Sequence, residues 1–335
     1  MDTHPIPDPS PDISVALCTY NRADLLAQTL HSLVGQKVHG IRFEIVVVDD
    51  GSTDRTAAVV DAARRTAPVP VRYVAQQNRG VGRARNRAVN EARGTWIAFI
   101  DDDELACERW LDALFGATSK TGADCVGGPS LIRLTGPCEI EPVGTIGMLL
   151  GENPAMKAGS ASRLSFFDRL RFRATRIAVP GGGNALVRKQ LIEVLGGFEA
   201  TNYGEDLDFF RRAQRAGARF ATAPEARIYH LTPPDRLAPG RLQALAKRSG
   251  ASQAALDRSH AGSGRQTLLA VLRAIHACGI TLPALLVHAV RSERSYVASR
   301  MCSLHFAMAY IRSCFWRSAA GSPAAAVKRA GSDAA

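Results

Sequence analysis

Two short apolar runs that each end in acidic residues decide the fold of this 335-residue chain: IVVVDDGS at positions 45–52 and IAFIDDDE at positions 97–104. Runs of β-branched or aromatic residues are typical of strands buried in a parallel sheet. Acidic residues that follow such strands lie at the rim where α/β sheets bind ligands. Because like charges repel and burial raises their energy, the two clusters indicate a cation or sugar hydroxyl groups at this rim, and a metal-assisted reaction on a phosphorylated ligand.

The composition indicates a folded protein with an anionic partner. The chain is 46% hydrophobic, which suits one α/β domain with an extension. Its net charge of +11 favours a nucleotide or a phospholipid surface. Aromatic residues make up only 6%, without a zinc-finger or RNA-stacking motif, so no nucleic-acid partner is expected. The seven cysteines form no CxxC pair, which favours reduced thiols in a cytoplasmic protein.

Strands and helices alternate along the first 230 residues. The predicted strands are Ile13–Cys18, Phe43–Val48, Val71–Ala75, Trp96–Ile100, Ala123–Gly127 and Ala226–Tyr229. Helices are predicted between the first four strands, from about Arg188 to Leu195, and from Gly204 through Arg215. This alternation predicts an α/β fold whose mostly parallel sheet carries helices on both faces.

Beyond Pro233 the composition becomes basic. Two apolar segments, Leu268–Val290 and Met301–Trp316, are interrupted by arginine or proline, so neither is expected to provide the about 20 uninterrupted apolar residues of a membrane span. Two interpretations remain open: amphipathic helices that lie on an anionic membrane, and a helical hairpin packed on the catalytic domain. The predicted organisation is a disordered tail (1–12) that is not a signal peptide, a catalytic domain (13–232), a helical extension (233–320) and a second disordered tail (321–335).

The order of short motifs resembles that of the family 2 glycosyltransferases, inverting enzymes of the GT-A fold that use nucleotide-diphospho-sugars. In chain order the motifs are Thr19-Tyr20-Asn21-Arg22, Val48-Asp49-Asp50-Gly51-Ser52, Asn78-x-Gly80, Ala84-Arg85-Asn86, Asp101-x-Asp103, Gly182-Gly183-Asn184, Glu205-Asp206 and a strand that ends at His230. The resemblance covers about residues 13–230. It implies a Rossmann-like GT-A sheet, with the nucleotide sugar bound by residues 13–128 and the acceptor by residues 129–232.

By this resemblance, the loops after the first two strands bind the nucleotide. Asp50 and Ser52 are expected to contact the uracil or the ribose, although both residue types also cap helices. Thr19, Tyr20 and Arg22 are expected to close the other side of the pocket, where an aromatic ring packs on a flat base.

The segment that opens the third helix is expected to approach the phosphates. Asn78 and Gly80 belong to it, and a glycine lets the backbone come close to a ligand. Three arginines alternate at positions 83, 85 and 87, and they cannot all face one way on a helix. Arg85 is predicted to face the ligand, since it matches the motif, while the other arginines are solvated.

The three consecutive aspartates predict a metal site. Mg²⁺ and Mn²⁺ prefer carboxylate oxygens and phosphates. In an extended segment residues i and i+2 point the same way, so Asp101 and Asp103 are expected to converge on one cation and the ribose, with Asp102 as a further substrate contact. Glu104 stands where the family often has a fourth aspartate. His230 is expected to complete the metal or diphosphate site, although a lone histidine is more often structural.

Asp206 is predicted to be the general base of a single displacement, with Glu205 as a partner for the acceptor hydroxyl. The alternative is that both acids only favour the positive end of a helix. Gly183 and Asn184 belong to a turn that is expected to line the acceptor side, or that is an ordinary tight turn.

Taken together, these features predict an inverting transferase that moves one sugar per encounter, since the Gln-x-x-Arg-Trp motif of processive synthases is missing. A UDP-sugar is the favoured donor, and a glycan or lipid-linked saccharide of the cell envelope is the expected acceptor. The predicted location is the cytoplasm, or the inner face of the cytoplasmic membrane as a peripheral protein. Two alternatives remain: a nucleotidyltransferase, which would need a Gly- and Lys/Arg-rich loop at positions 19–22, and a non-catalytic scaffold that binds nucleotide sugars.

Overall fold

The computed structural model describes residues 10–153, 180–199 and 204–315. Most of the two predicted tails and the last residues of the predicted extension lie outside these ranges. Asp12, at the end of the predicted N-terminal tail, is bound to the domain. Its amide donates to the carbonyl of Arg42 at 2.8 Å, and the Arg42 amide donates to Asp12 Oδ2 at 2.9 Å.

The described strands form two sheets. They are β1 (Ile13–Thr19), β2 (Phe43–Asp49), β3 (Val71–Ala75), β4 (Trp96–Asp101), β5 (Glu104–Ala106), β6 (Cys125–Gly127), β7 (Ser130–Leu134), β8 (Ala185–Arg188), β9 (Phe220–Thr222) and β10 (Ile228–Thr232). The larger sheet has the order β3-β2-β1-β4-β8-β6-β9, in which only β8 runs antiparallel to its neighbours. The smaller sheet has the order β5-β10-β7, so the strand that ends near His230 belongs to it. The predicted mostly parallel sheet is confirmed.

Helices cover both faces of the larger sheet. They are α1 (Ala23–Val34), α2 (Thr56–Thr66), α3 (Val81–Glu91), α4 (Trp110–Thr121), α5 (Thr145–Leu149), α6 (Lys189–Val194) and α7 (Glu205–Arg215). Val15 and Leu17 of β1 face a core shared with α1, α2 and α4, whereas Ala16 faces a second core shared with α3 and α7. Because both faces are buried, the strands are continuously apolar rather than alternating.

The C-terminal extension is a bundle of long helices. After a short 3₁₀ helix (Pro234–Leu237) come α8 (Pro239–His276), a π turn (Ala277–Thr281), α9 (Leu282–Val290) and α10 (Arg294–Phe315), which packs along α8. Gly262 breaks α8 with a φ of 78°. Pro283 interrupts no helix. Proline lacks the amide donor and clashes with the preceding turn, and the wider π turn immediately upstream is the kind of local adjustment that accommodates it.

One stretch of the described chain, Gly262–Val290, is long and apolar enough to cross a membrane by length and composition alone, and only 17% of its most apolar window is buried. The sequence-based expectation asked for about 20 uninterrupted apolar residues, and Arg273 interrupts this stretch, so the stretch qualifies only by length and overall composition. Arg273 is its single charged residue between Arg265 and Arg291, and Pro283 is absorbed within continuous helix.

Buried polar contacts join the extension to α7. Asp257 of α8 pairs with Arg211 of α7, and the distance from Oδ1 to Nη2 is 2.8 Å. Asp257 also accepts hydrogen bonds from Gln253 and from the hydroxyl of Tyr310 on α10. His260 Nε2 lies 2.7 Å from Asp208 Oδ1 of α7. The extension thus packs on the catalytic domain, through the helix that begins with Glu205 and Asp206.

Replacing Asp257 by alanine is expected to lower the free energy of unfolding by about 3–5 kcal/mol, because Arg211 would keep a buried charge without its carboxylate. Urea unfolding followed by circular dichroism measures this change. The control is Asp61→Ala, which removes an ion pair with Arg65 whose carboxylate side chain is 59% exposed, and it is expected to cost less than about 1 kcal/mol. Equal costs for the two variants would contradict a role of Asp257 in joining the extension to α7.

Candidate active site

Three neighbouring strands end together at the candidate site. In the β1–β2 register Thr19 lies beside Asp49, and in the β1–β4 register Cys18 lies beside Asp101. Beyond Asp101 the chain makes a turn through Asp102 and Asp103 and then enters β5. The acidic cluster therefore marks the point where the chain passes from the larger sheet to the smaller one.

The three aspartates have different sets of partners, although Asp102 and Asp103 share Arg22. Asp101 accepts a hydrogen bond from Arg85 Nη2 at 2.8 Å, and Asp102 accepts from Thr19 Oγ1 at 2.8 Å and from Arg22 Nη1 at 2.9 Å. Asp103 Oδ2 accepts from Arg22 at 3.0 Å. The predicted convergence of Asp101 and Asp103 is not found. The side chains of residues i and i+2 share a direction only in an extended strand, and Asp102 and Asp103 lie in a turn.

His230 and Arg236 meet Asp103 from the other side. His230 Nε2 and Arg236 Nη1 each lie 3.2 Å from Asp103 Oδ2, and Arg236 Nη1 lies 2.9 Å from His230 Nε2. His230 Nδ1 lies 2.7 Å from the Leu150 carbonyl, which orients the ring. Sequence reasoning missed Arg236 as a site residue. The sequence did contain an indication of it, since Pro233 and Pro234 follow His230 by three and four residues. The short 3₁₀ helix that begins at Pro234 carries Arg236 back to the rim.

The acids of this turn differ in their readiness to ionise. Burial raises the pKa of Asp102 to about 6, although Arg22 opposes the shift. Burial also acts on Asp103, but His230, Arg22 and Arg236 outweigh it and lower its pKa to about 2. Burial raises the pKa of Glu104 well above its usual range. Asp103 is therefore the acid of these three that is held firmly as a carboxylate.

Arg85 is the arginine of its triplet that faces the site, as predicted, while Arg83 and Arg87 are exposed. Arg85 is only 5% exposed, and its guanidinium lies between Asp101 and Glu205. It pairs with both carboxylates, and the contact with Glu205 is the shorter one. Burial disfavours its charge, but Asp101 and Glu205 outweigh burial and raise its pKa. The guanidinium is therefore occupied by carboxylates in this structure, where a phosphate was expected.

Asp206 lies at the start of α7 beside the Gly182–Gly183 turn. Its Oδ2 accepts a hydrogen bond from the Gly182 amide at 2.8 Å, and its Oδ1 accepts one from the Leu207 amide at 2.7 Å. A Cβ on Gly182 would stand 2.9 Å from Asp206 Cβ and 2.9 Å from Arg85 Nη1, so the close approach requires glycine. Glu205 is buried next to Asp206, and burial raises its pKa against the opposing effect of Arg85.

Gly183 and Asn184 serve the packing of the site. A Cβ on Gly183 would overlap the carboxylate of Glu104. The Asn184 side chain is buried and accepts a hydrogen bond from Trp110 Nε1 at 2.8 Å. The side-chain nitrogen of Asn184, Nδ2, donates hydrogen bonds to the carbonyls of Pro129 and Ala226 at 3.0 and 2.9 Å. The turn lies beside Asp206, while the side chain of Asn184 is bound within the fold.

Asp50 organises the loop between β3 and α3. Its Oδ1 accepts hydrogen bonds from Gln76 Nε2 and the Arg79 amide, and its Oδ2 accepts one from the Gly80 amide, at 2.7, 2.9 and 2.8 Å. The exposed Asn78 and Gly80 are thereby held near the end of β2. Neither Asp50 nor Ser52 caps α2, because Asp54 accepts the Thr56 amide instead. Asp50 therefore holds the loop between β3 and α3 in place through these hydrogen bonds.

The loop after β1 closes the other side of the rim. The Asn21 amide donates to Ser52 Oγ at 2.9 Å, which joins this loop to the loop after β2. Tyr20 is 47% exposed, so its ring presents a free face at the rim. Thr19 and Arg22 are bound to Asp102, as described above. The loop thus combines an exposed ring with side chains that hold the acidic turn.

The donor atoms near Asp103 fit a divalent cation in part. Among residues 10–153, 180–199 and 204–315, no three His, Cys, Asp or Glu side chains converge to hold a metal. Asp103 and His230 do meet, and a carboxylate oxygen with an imidazole nitrogen is a set that Mn²⁺ accepts. Asp101, the third predicted ligand, is turned to Arg85. The residues therefore fit a cation that takes its remaining ligands from a phosphate and water.

The chain matches the family model for glycosyl transferase family 2 over residues 14–196 and that for glycosyl transferase family group 2 over residues 156–311. It belongs to glycosyltransferase family 2. The first match spans β1 to α6 and includes the acidic turn, Arg85 and the glycine turn. The second includes Glu205, Asp206 and most of the helical extension.

Named relatives agree with this membership. The succinoglycan biosynthesis protein ExoM of Rhizobium meliloti is 29% identical over 266 residues, which cover 78% of this chain and 80% of ExoM. Chondroitin synthase of Escherichia coli is 30% identical over 67% of this chain, but the match covers only 35% of that longer protein. Among solved structures, the mannosyltransferase PcManGT of Pyrobaculum calidifontis is 20% identical and covers 92% of this chain and 88% of its own, with a TM-score of 0.59.

These matches confirm three of the predictions. The chain is a family 2 glycosyltransferase, its fold is GT-A, and it belongs to a class of enzymes that transfer sugars. The nucleotidyltransferase interpretation is thereby set aside. The roles of individual residues are taken up as proposals below.

Replacing Arg236 by glutamine is expected to lower kcat/KM for a nucleotide sugar by about 10–100-fold, because Arg236 provides a charged donor beside Asp103 and His230. Nucleoside diphosphate release measures the effect. Arg241→Gln is the matched control, since Arg241 follows in the same segment but pairs with Asp235 in an exposed position. An Arg236 variant within threefold of the wild type would show that this arginine only neutralises Asp103.

Proposed function

We propose that this protein transfers one sugar from a nucleotide-diphospho-sugar to an acceptor hydroxyl, with inversion at the anomeric carbon. The observation that carries the proposal is the position of Asp206, which stands at the start of α7, bound to the Gly182 amide, next to the Glu205–Arg85–Asp101 cluster. A carboxylate supported in this way beside the rim of the sheet suits a general base for an acceptor.

The nucleotide is proposed to lie across the ends of β1 and β2. The exposed ring of Tyr20 offers a surface for the base, and the loop held by Asp50 presents Asn78 and Gly80. Gly80 has a φ of 86°, a backbone conformation that favours glycine. Because glycine has no side chain, the backbone here is open to close approach by a ligand. A uridine nucleotide is the favoured donor by resemblance, while the related PcManGT was solved with GDP-Man and Mn²⁺.

Asp206 is proposed to take the proton of the acceptor hydroxyl as its oxygen attacks the anomeric carbon. The nucleoside diphosphate leaves on the opposite side of the sugar, so the configuration inverts. General base catalysis contributes about 10²–10⁴ in rate. Glu205, held by Arg85, is proposed to orient Asp206 and the acceptor hydroxyl. This arrangement gives the two adjacent acids different tasks.

Positive charge for the leaving diphosphate is proposed to come from the opposite wall. Arg22 and Arg236 reach Asp103 from two sides and provide donors for phosphate oxygens. Asp103 and His230 would hold a divalent cation, Mg²⁺ or Mn²⁺, which stabilises the growing charge on the diphosphate when bound. The chain's own arginines then orient the diphosphate in front of the sugar.

The acceptor is proposed to be a glycan or a lipid-linked saccharide of the cell envelope, handled on the cytoplasmic side. This follows the names of two relatives, a succinoglycan biosynthesis protein and a chondroitin synthase, both of which refer to polysaccharides. The catalytic domain is proposed to divide into a donor half (13–128) and an acceptor half (129–232). The glycine turn and α7 belong to the second half.

Asp206→Asn is expected to reduce kcat by about 10²–10⁴ while donor affinity stays within about threefold, since the amide keeps an oxygen for the Gly182 N–H but loses the base. Transfer to an acceptor and calorimetric donor binding measure the two quantities. Glu193→Gln, which changes an exposed acid of α6 paired with Lys189, is the control and should leave both unchanged. A variant that retains most of its kcat would exclude Asp206 as the base.

A panel of UDP-, GDP- and dTDP-sugars with Mn²⁺ or Mg²⁺ is expected to identify one donor that releases nucleoside diphosphate. Release should stop when the metal is chelated, and Asp103→Ala should abolish it, because that carboxylate faces His230 and both arginines. Donor binding without release, even with membrane extract as the source of acceptor, would support the non-catalytic scaffold. Release that persists in excess chelator would remove the metal from the proposal.

A further inference from the structure

The helical stretch from Gly262 to Val290 presents an apolar face to the outside of the protein. Its exposed large side chains are between 42% and 87% accessible, and they are Leu268, Val271, Ile275, Ile280, Leu282, Leu286, Val287 and Val290. No residue of α9 is buried. A continuous apolar surface of this kind on a folded protein marks an interaction site.

The polarity of this stretch is opposite to that of a helix in water. Between Leu268 and Val290 the one charged residue, Arg273, is buried, with its guanidinium 4.3 Å from the Tyr310 ring centroid and 5.3 Å from that of Phe306. A surface helix normally turns its apolar residues inward and its charges outward. Charges that face protein while apolar residues face outward are the arrangement found in lipid.

Basic residues surround the apolar face. Arg265 lies before it, and Arg291 and Arg294 follow it, all exposed. From residue 233 to residue 315 the chain has eleven Lys and Arg against three Asp and Glu. Basic residues next to an apolar helix favour an anionic membrane surface, because their positive charge is attracted to anionic lipid headgroups.

We propose that the outer face of Gly262–Val290 inserts into the headgroup and acyl boundary of an anionic bilayer. The helix lies in the interface rather than across the membrane, because its inner side is packed on α10, which carries Arg300, His305 and Arg312. Insertion of this kind reaches about 5–10 Å into the bilayer. The proposal needs neither the donor nor the base proposed above, so vesicle binding and sugar transfer succeed or fail separately.

The same helices support both walls of the candidate site. Ser299 of α10 receives the Thr145 amide at the start of α5, and the carbonyl of Leu150 after α5 holds His230. Asp257 of α8 holds Arg211 of α7. The helices that continue from or pack on the apolar stretch are therefore connected to both sides of the candidate site.

Co-sedimentation of the full chain with vesicles tests the proposal. The protein is expected to bind phosphatidylcholine vesicles that contain phosphatidylglycerol, and to bind pure phosphatidylcholine more weakly. Leu286→Glu and Val287→Glu should each weaken binding about tenfold or more, because a charge would enter the apolar boundary. Val194→Glu is the matched control, since Val194 of α6 is 77% exposed and lies in the catalytic domain. Wild-type protein that ignores anionic vesicles at low salt would overturn the proposal.

Cys278 reports whether the face is open before the membrane is added. Its thiol is exposed and lies within the stretch, so a water-soluble maleimide should modify it in solution, and anionic vesicles should protect it. Mass spectrometry of the peptides reads each cysteine separately, with the partly buried Cys107 as an internal reference. Protection of Cys278 without vesicles, or a dimer in light scattering that Leu286→Glu dissociates, would show that protein covers this face and would overturn the proposal.

Discussion

The buried guanidinium of Arg85 is the interaction on which the rest of the site depends. It joins Asp101 at the end of β4 to Glu205 at the start of α7, and so connects the strand that ends at the acidic turn to the helix that carries Asp206. Two carboxylates this close would repel each other strongly in a buried site, and the guanidinium between them removes that cost. Gly182 leaves the space that the guanidinium fills. A single inward-facing arginine therefore connects the end of β4 to the start of α7, beside the pairing of β4 with β8.

The acidic turn is balanced in a similar way by basic side chains from distant parts of the chain. Arg22 comes from the loop after β1, His230 from β10, and Arg236 from the 3₁₀ helix that leads into the extension. Under the proposed function, Arg22 and Arg236 would exchange their carboxylate partner for phosphate oxygens when the diphosphate binds. A divalent cation held by Asp103 and His230 would then compensate the carboxylates that the arginines release.

The sequence was sufficient for the parts that depend on local pattern. Buried parallel strands are apolar over their whole length, so β1 to β4 were recognised. Helical periodicity showed that the three arginines cannot all face inward, and the resemblance to the family motif selected Arg85, which is buried. What failed depended on contacts between distant residues. The turn at Asp102 and Asp103 exists because β5 pairs with β10 in another sheet, a pairing that no local pattern encodes. Arg236 reaches Asp103 and the buried side-chain amide of Asn184 reaches Ala226 across more than 40 residues of chain, and strands of three residues such as β5 and β9 carry too little periodicity to detect.

In the extension, the sequence showed which residue types are present, but only the structure shows which of them are buried. Its apolar segments and its arginines were visible in the sequence, but the side on which each residue lies is set by the packing of α10 against α8. That packing puts Arg273 inside, against Tyr310 and Phe306, and leaves leucines and valines outside. The two interpretations left open by the sequence are compatible, because Asp257 and His260 join the extension to α7 while the apolar side chains of Gly262–Val290 stay exposed. A buried arginine beneath an exposed apolar face is the reverse of a helix in water, and this reversal is what the proposed membrane contact explains.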